Sequence, residues 1–108
     1  MHLESADSVF AALADRHRRE MVSRLARHGR MRTGDLLEGL PMTRQGANRH
    51  LGVLETSGLV TSHRVGRVVY RELNLQPLRG TGEWLDQIDR QWQAALGRLA
   101  AQYDAELP

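Results

Sequence analysis

Gln45, Asn48, Arg49 and Gly52 fall on one side of a helical wheel drawn for residues 44–57, and Ala47, Leu51 and Leu54 fall on the other. The apolar side suits docking against a core. The polar side carries side chains long enough to meet the edges of base pairs, because Arg pairs bidentately with guanine and Gln or Asn with adenine. Thr43 and Arg44, where the segment begins, extend the same candidate DNA-contacting set. Any solvated helix face accepts such a mixture, so these residues alone leave both readings open.

A second candidate surface lies at Arg64, Arg67 and Arg71, clustered around Gly66. Arginines there suit phosphates or the minor groove, and Gly66 lets a backbone approach closely. Edge hairpins also use Arg to discourage pairing with other sheets, and the two roles are compatible. The charge distribution favours a polyanion partner: residues 16–71 hold 12 Arg against 4 acids, a net +8, whereas residues 1–15 and 72–108 each carry −3. All 15 basic residues are Arg. A coding bias explains Arg over Lys but not the clustering.

Other chemistries find little support. Without Cys there is no disulfide framework, thiolate metal site or cysteine nucleophile. His2, His17, His28, His50 and His63 are scattered; His17 and His28 share a face of one predicted helix, but stand about 16 Å apart along it, too far for one ion. His50, beside Leu51, reads as a packed or capping side chain. No nucleophile elbow, Gly-rich phosphate loop or His-x-x-x-His pattern organises the remaining polar residues. Neither catalysis nor a metal or other cofactor is expected. The longest apolar run, Val9 to Ala14, is far too short to cross a bilayer, and Glu4 and Asp7 stand where a signal peptide requires a basic start. A soluble, cytoplasmic chain with no membrane partner is the expectation.

The elements that position these residues follow from periodicity. Ser5 or Asp7 is expected to cap a first helix with Val9, Phe10 and Leu13 on one face. A second helix runs from Arg16 to His28 with Met21, Val22 and Leu25 inward and Gly29 as its stop. Thr33 caps a short helix through Leu40, ended by Pro41, with Leu36, Leu37 and Leu40 inward. Thr43 caps the helix from Arg44 to about Ser57, stopped by Gly58. The period then changes to that of a β-hairpin, Val60 to Val65 and Val68 to Leu73, around a Gly66-Arg67 turn. From Pro77 or Thr81 to about Glu106, Leu85, Ile88, Trp92, Leu96, Leu99 and Tyr103 recur at helical steps on a rod too long for a domain of 108 residues. That stripe calls for a second chain. Trp84, Trp92 and Tyr103 read as packing rather than a ligand pocket, and a small-molecule effector would leave no trace of its own here.

The order helix, helix, turn, helix, hairpin is that of a winged helix-turn-helix. Leu13 to Arg19 (LADRHRR), Gly34-Asp35-Leu36, Thr43 to Leu51 (TRQGANRHL), Val53-Leu54-Glu55, Gly58-Leu59-Val60, and Gly66-Arg67 with Tyr70 resemble the signature segments of the ArsR (SmtB-type) winged-helix repressors. The resemblance spans about Val9 to Leu78 and is most specific from Asn48 to Val60. The Trp-bearing last helix is similar to a metal-independent branch. The resemblance implies a homodimer built from the first and last helices, bound to an inverted repeat and blocking transcription. Asn48, Arg16 and His17 depart from the family pattern, so base preferences do not carry over, and Gly46 is unusual within a helix. The family's metal sensors use Cys pairs, or an Asp-x-His with a later His and Glu on the last helix. Here that helix has Asp86 and Asp89 but no His.

The combined expectation is a mostly α fold with a small β-hairpin: one winged helix-turn-helix domain over residues 1–108, with dimerisation helices at 1–14 and 77–107, the helix-turn-helix at 33–57 and the wing at 60–73. Its dimer interface would use Val9, Phe10, Leu13, Leu85, Ile88, Trp92, Leu96, Leu99 and Tyr103. Double-stranded DNA would be the partner. Two other readings are a metal-responsive sensor of the same fold and a winged-helix protein-interaction module, the latter opposed by the basic cluster at Arg44, Arg49, Arg64 and Arg67.

Overall fold

The computed structural model describes residues 3–106, so His2 lies outside the described residues. Five helices and three strands follow in the order α1 (Leu3–Leu13), α2 (Arg16–His28), β1 (Met31–Arg32), α3 (Thr33–Leu37), α4 (Arg44–Thr56), β2 (Val60–Val65), β3 (Val68–Leu73) and α5 (Gln76–Glu106). The core lies where α1 to α4 meet the root of the hairpin: Ala12, Met21, Leu25, Leu36, Leu51, Leu54, Leu59 and Val60 are all buried in one cluster. Full burial of each large aliphatic side chain contributes about 1.5–3 kcal/mol, which is what holds helices as short as α3 in place.

Several boundaries differ from expectation for local reasons. The first helix already runs at Ser5 and Asp7, so neither is its cap; Leu, Glu and Ala ahead of Asp7 are good helix formers. Asp15 caps α2 instead, its carboxylate accepting from the backbone N–H groups of His17 at 2.8 Å and Arg18 at 3.1 Å. Thr33 is the first helical residue of α3 rather than its cap, and the helix stops at Leu37, not Leu40. Gly39, at φ +77°, turns the chain out of the helix in a conformation that side chains disfavour. Leu40 still packs against the core from the turn that follows.

Thr43 caps α4 as expected, accepting from the Gly46 N–H at 3.0 Å. Gly58, at φ +82°, closes the far end, its N–H donating to the Glu55 carbonyl at 3.0 Å. The two long strands have the expected limits and pair antiparallel from Val60↔Leu73 to Val65↔Val68. A third strand was not foreseen: Met31 and Arg32 pair with Arg71 and Tyr70, giving a sheet of order β1-β3-β2. Two residues are too few to show a period of two.

The last helix begins at Gln76, ahead of Pro77 and Thr81, because Asn74 Oδ1 accepts the Gln76 N–H at 3.2 Å and a proline is tolerated in a first turn. Its 31 residues make a rod of about 46 Å. The resulting extents are 73 × 28 × 22 Å and the radius of gyration 19.5 Å, against about 13 Å for a compact chain of this length. Among the described residues the start of α5 packs on the rest, where the Trp84 ring meets Phe10 of α1 edge-on, with centroids 5.9 Å apart.

Candidate nucleic-acid interface

The α4 helix docks by one face and offers the other. Ala47, Leu51 and Leu54 are buried, whereas Thr43, Arg44, Gln45, Asn48, Arg49 and Gly52 are exposed. Glycine at position 46 has a local reason, since a Cβ there would stand 3.2 Å from the capping Thr43 Oγ1. At position 52 a Cβ would meet nothing within 4 Å. The hairpin turn exposes Arg64, Val65, Gly66 and Arg67.

The arginines divide by what they touch. Arg24 donates to the Leu36 and Glu38 carbonyls at 3.0 and 2.6 Å and pairs with Glu20 at 3.2 Å, tying α2 to the end of α3. That guanidinium, joined by Arg27, holds the Glu20 carboxyl below the usual carboxylate range. Arg18 and Arg19 donate to carbonyls at the end of α1, and Arg30 pairs with Glu72. Arg44, Arg49, Arg64 and Arg67 enter none of these bonds and take part in no ion pair among the described residues. A long cationic side chain kept in water without a partner is available to a polyanion.

Arg71 requires a correction. Sequence proximity groups it with the tip arginines, but its side chain is only 15% exposed and faces inward. It is bonded to Glu55 of α4, to Ser62 Oγ at 2.7 Å and to Thr33 Oγ1 at 3.1 Å. The register explains why: Arg71 sits opposite Ser62, five residues from the turn, where side chains of the root face the helices.

A helix-turn-helix domain model matches residues 13–63. The HTH-type transcriptional regulator Rv2034 of Mycobacterium tuberculosis is 40% identical over 103 residues, covering 94% of this chain and 92% of that protein. The solved structure of an ArsR-like transcriptional regulator from Rhodococcus sp. RHA1 superposes with a TM-score of 0.73 at 34% identity, covering 95% of this chain and 93% of that one. The chain belongs to the ArsR-type winged helix-turn-helix regulators. It is a DNA-binding regulator of transcription and not an enzyme. The transcriptional repressor SdpR of Bacillus subtilis is a further relative, 29% identical over 79 residues that cover 73% of this chain and 87% of that protein.

In this ArsR-type chain the apolar stripe of α5 is largely bare. Leu85, Ile88, Trp92, Leu96, Leu99 and Tyr103 are between 39% and 63% exposed, and Phe10 of α1 is 40% exposed. Val9 is different: at 1% exposure its side chain is enclosed within this single chain, which corrects its assignment to a dimer surface. Leu13 is also half-buried against its own core. A period of 3.6 identifies the apolar face of α1 without saying which part of it is covered internally.

Sequence reasoning missed a polar cluster behind α4. Arg18 donates to His50 Nδ1 at 3.0 Å, and the same nitrogen lies 3.9 Å from Asp15 Oδ1. The Arg18 N–H donating to the Asp15 carboxylate, aided by that of His17 and by the Arg18 charge, holds the Asp15 carboxyl below its usual range against partial burial. The signal available in the sequence was Asp15 at a capping position one residue before α2. His50 is accordingly a packed side chain, 19% exposed. Among the described residues no three His, Asp or Glu side chains gather closely enough to hold a metal ion, and no helix is long and apolar enough to cross a membrane.

Proposed function

We propose that the chain acts as a homodimeric repressor, with α4 of each protomer in a major groove of an inverted-repeat operator and the β2–β3 turn over the flanking backbone. The observation that carries this reading is the division of the arginines: among the described residues Arg44, Arg49, Arg64 and Arg67 stay unpaired and exposed, as Gln45 and Asn48 are exposed, while others serve the fold. Gln45, Asn48 and Arg49 would read base edges, and Thr43, Arg44, Arg64 and Arg67 would hold phosphates or the minor groove. The exposed stripe from Leu85 to Tyr103, with Phe10, supports pairing of two copies through α5 and α1. Repression is supported by the likeness to the SdpR repressor, and the cytoplasm, where the DNA is, is its inferred place of action.

Selection of bound duplexes from a random pool tests this directly. The expected product is an inverted repeat whose half-sites are about one helical turn apart, as two-fold symmetry requires. Recovery of unrelated sequences, bound no better than the starting pool, would replace it with the reading as a protein-interaction module.

A further inference from the structure

We infer that Arg71 and Glu55 form a joint that fixes the wing against the major-groove helix, so that both set operator affinity without touching DNA. This rests on the reading of α4 and the β2–β3 turn as the DNA-contacting surfaces.

One guanidinium reaches every part of the unit. Its Nη1 is bonded to Glu55 in the last turn of α4 and donates to Ser62 Oγ of β2 at 2.7 Å, and its Nε donates to Thr33 Oγ1, where α3 begins, at 3.1 Å. Thr33 Oγ1 in turn donates to the Val69 carbonyl of β3 at 3.1 Å, and Ser62 Oγ donates to Glu55. The planar fork of Arg is suited to holding such divergent partners at once, which a lysine ammonium on a flexible stem is not.

The position of this joint gives it leverage. Beyond Ser62 the hairpin has little to lean on: Arg64 to Arg67 are exposed, and Val65 is 59% exposed. Gly66 lies four residues further on, about 13 Å at the rise of a strand. A rotation of about 10° at the root would carry the tip by about 2 Å, enough to break a hydrogen bond to a phosphate. The Glu55 carboxylate ties the root to the helix that the tip must match in register on the DNA.

The test uses the duplex of highest affinity recovered from a random pool, with wild type and the R71Q, R71K, E55Q and R67A variants at temperatures well below their melting points. R71Q and R71K should each lose about tenfold in affinity, as for breaking a coupled polar network, and E55Q somewhat less. Their slopes of log affinity against log salt should stay equal to that of wild type, because a shift of about 2 Å spoils a hydrogen bond but leaves every wing charge beside the backbone; R67A removes one such charge and should flatten its slope. A flattened slope for R71Q, or unchanged affinity in R71Q and R71K, overturns the inference. The joint is also read without DNA. The chain has no Cys, so spin labels introduced by T56C and V65C report only the distance from α4 to the wing when labelled chain is diluted with unlabelled chain. R71Q should broaden a narrow distribution, and an unchanged distribution refutes the joint whatever happens to DNA binding. Failure of the DNA-contact reading would show separately, as unchanged affinity in R67A.

Discussion

The Arg18 guanidinium donates to His50 Nδ1 across 3.0 Å, joining the start of α2 to the middle of α4. Arginine has no acceptor, so in this contact the guanidinium is the donor and Nδ1 the acceptor. The same guanidinium donates to the Ala12 and Ala11 carbonyls at 2.6 and 3.1 Å. The end of α1, the cap of α2 and the back of α4 therefore share one polar cluster.

Asp15 gives that cluster a pH dependence. Its carboxyl is held below the usual range when folded, so its stabilising contribution is complete above about pH 4 and is lost as the pH falls through the lower folded value. Asp15→Asn keeps a capping oxygen but no charge. Its melting temperature should lie below wild type at pH 7, and the gap should close as the pH falls through and below the ordinary carboxylate range. Thermal melts at constant ionic strength would show this; a gap of constant size would mean that the charge of Asp15 is irrelevant.

Light scattering should report twice the chain mass for wild type. Ile88→Asp or Trp92→Asp would place an unpaired charge in the paired stripe, at a cost of about 3–5 kcal/mol, and should give monomers that remain helical. Both side chains are well exposed in the single chain, at 39% and 63%, so neither substitution should unfold it. Wild type that stays monomeric at micromolar concentration yet binds DNA tightly would exclude the paired model.

The two proposed DNA-contacting surfaces should fail differently. Alanine at whichever of Gln45, Asn48 or Arg49 meets a base edge should cost about 1–3 kcal/mol on the selected operator and relax the preference at one position in each half-site. Arg67→Ala should weaken all sequences alike and flatten the salt slope by about one unit per wing. Titrations of specific and scrambled duplexes across a salt series separate these outcomes.

Operator affinity should be equal with and without a chelator, and elemental analysis should find no stoichiometric zinc. The ground is the absence of Cys and of His on the last helix, which removes the ligands that zinc prefers. Stoichiometric metal with a chelator-sensitive affinity would make the chain a metal sensor.

Most of the element order was legible in the sequence because it depends on local rules. The period along Arg44 to Ser57, the cap at Thr43 and the change to β-branched residues after Gly58 place α4 and the hairpin to within a residue of their limits. The fold class and family followed from that order and from the segments between Leu13 and Tyr70. Local rules say nothing about what a face meets. Val9 and Phe10 are neighbours on one apolar stripe, yet only the packing of α1 encloses Val9 and leaves Phe10 against Trp84. Arg67 and Arg71 are the same residue type four positions apart. The strand register leaves one exposed at the turn and points the other at Glu55, 16 residues away along the chain. Which arginine stays exposed and which belongs to the frame is a matter of long-range contact, and that is decided only by the packing of the hairpin against α4.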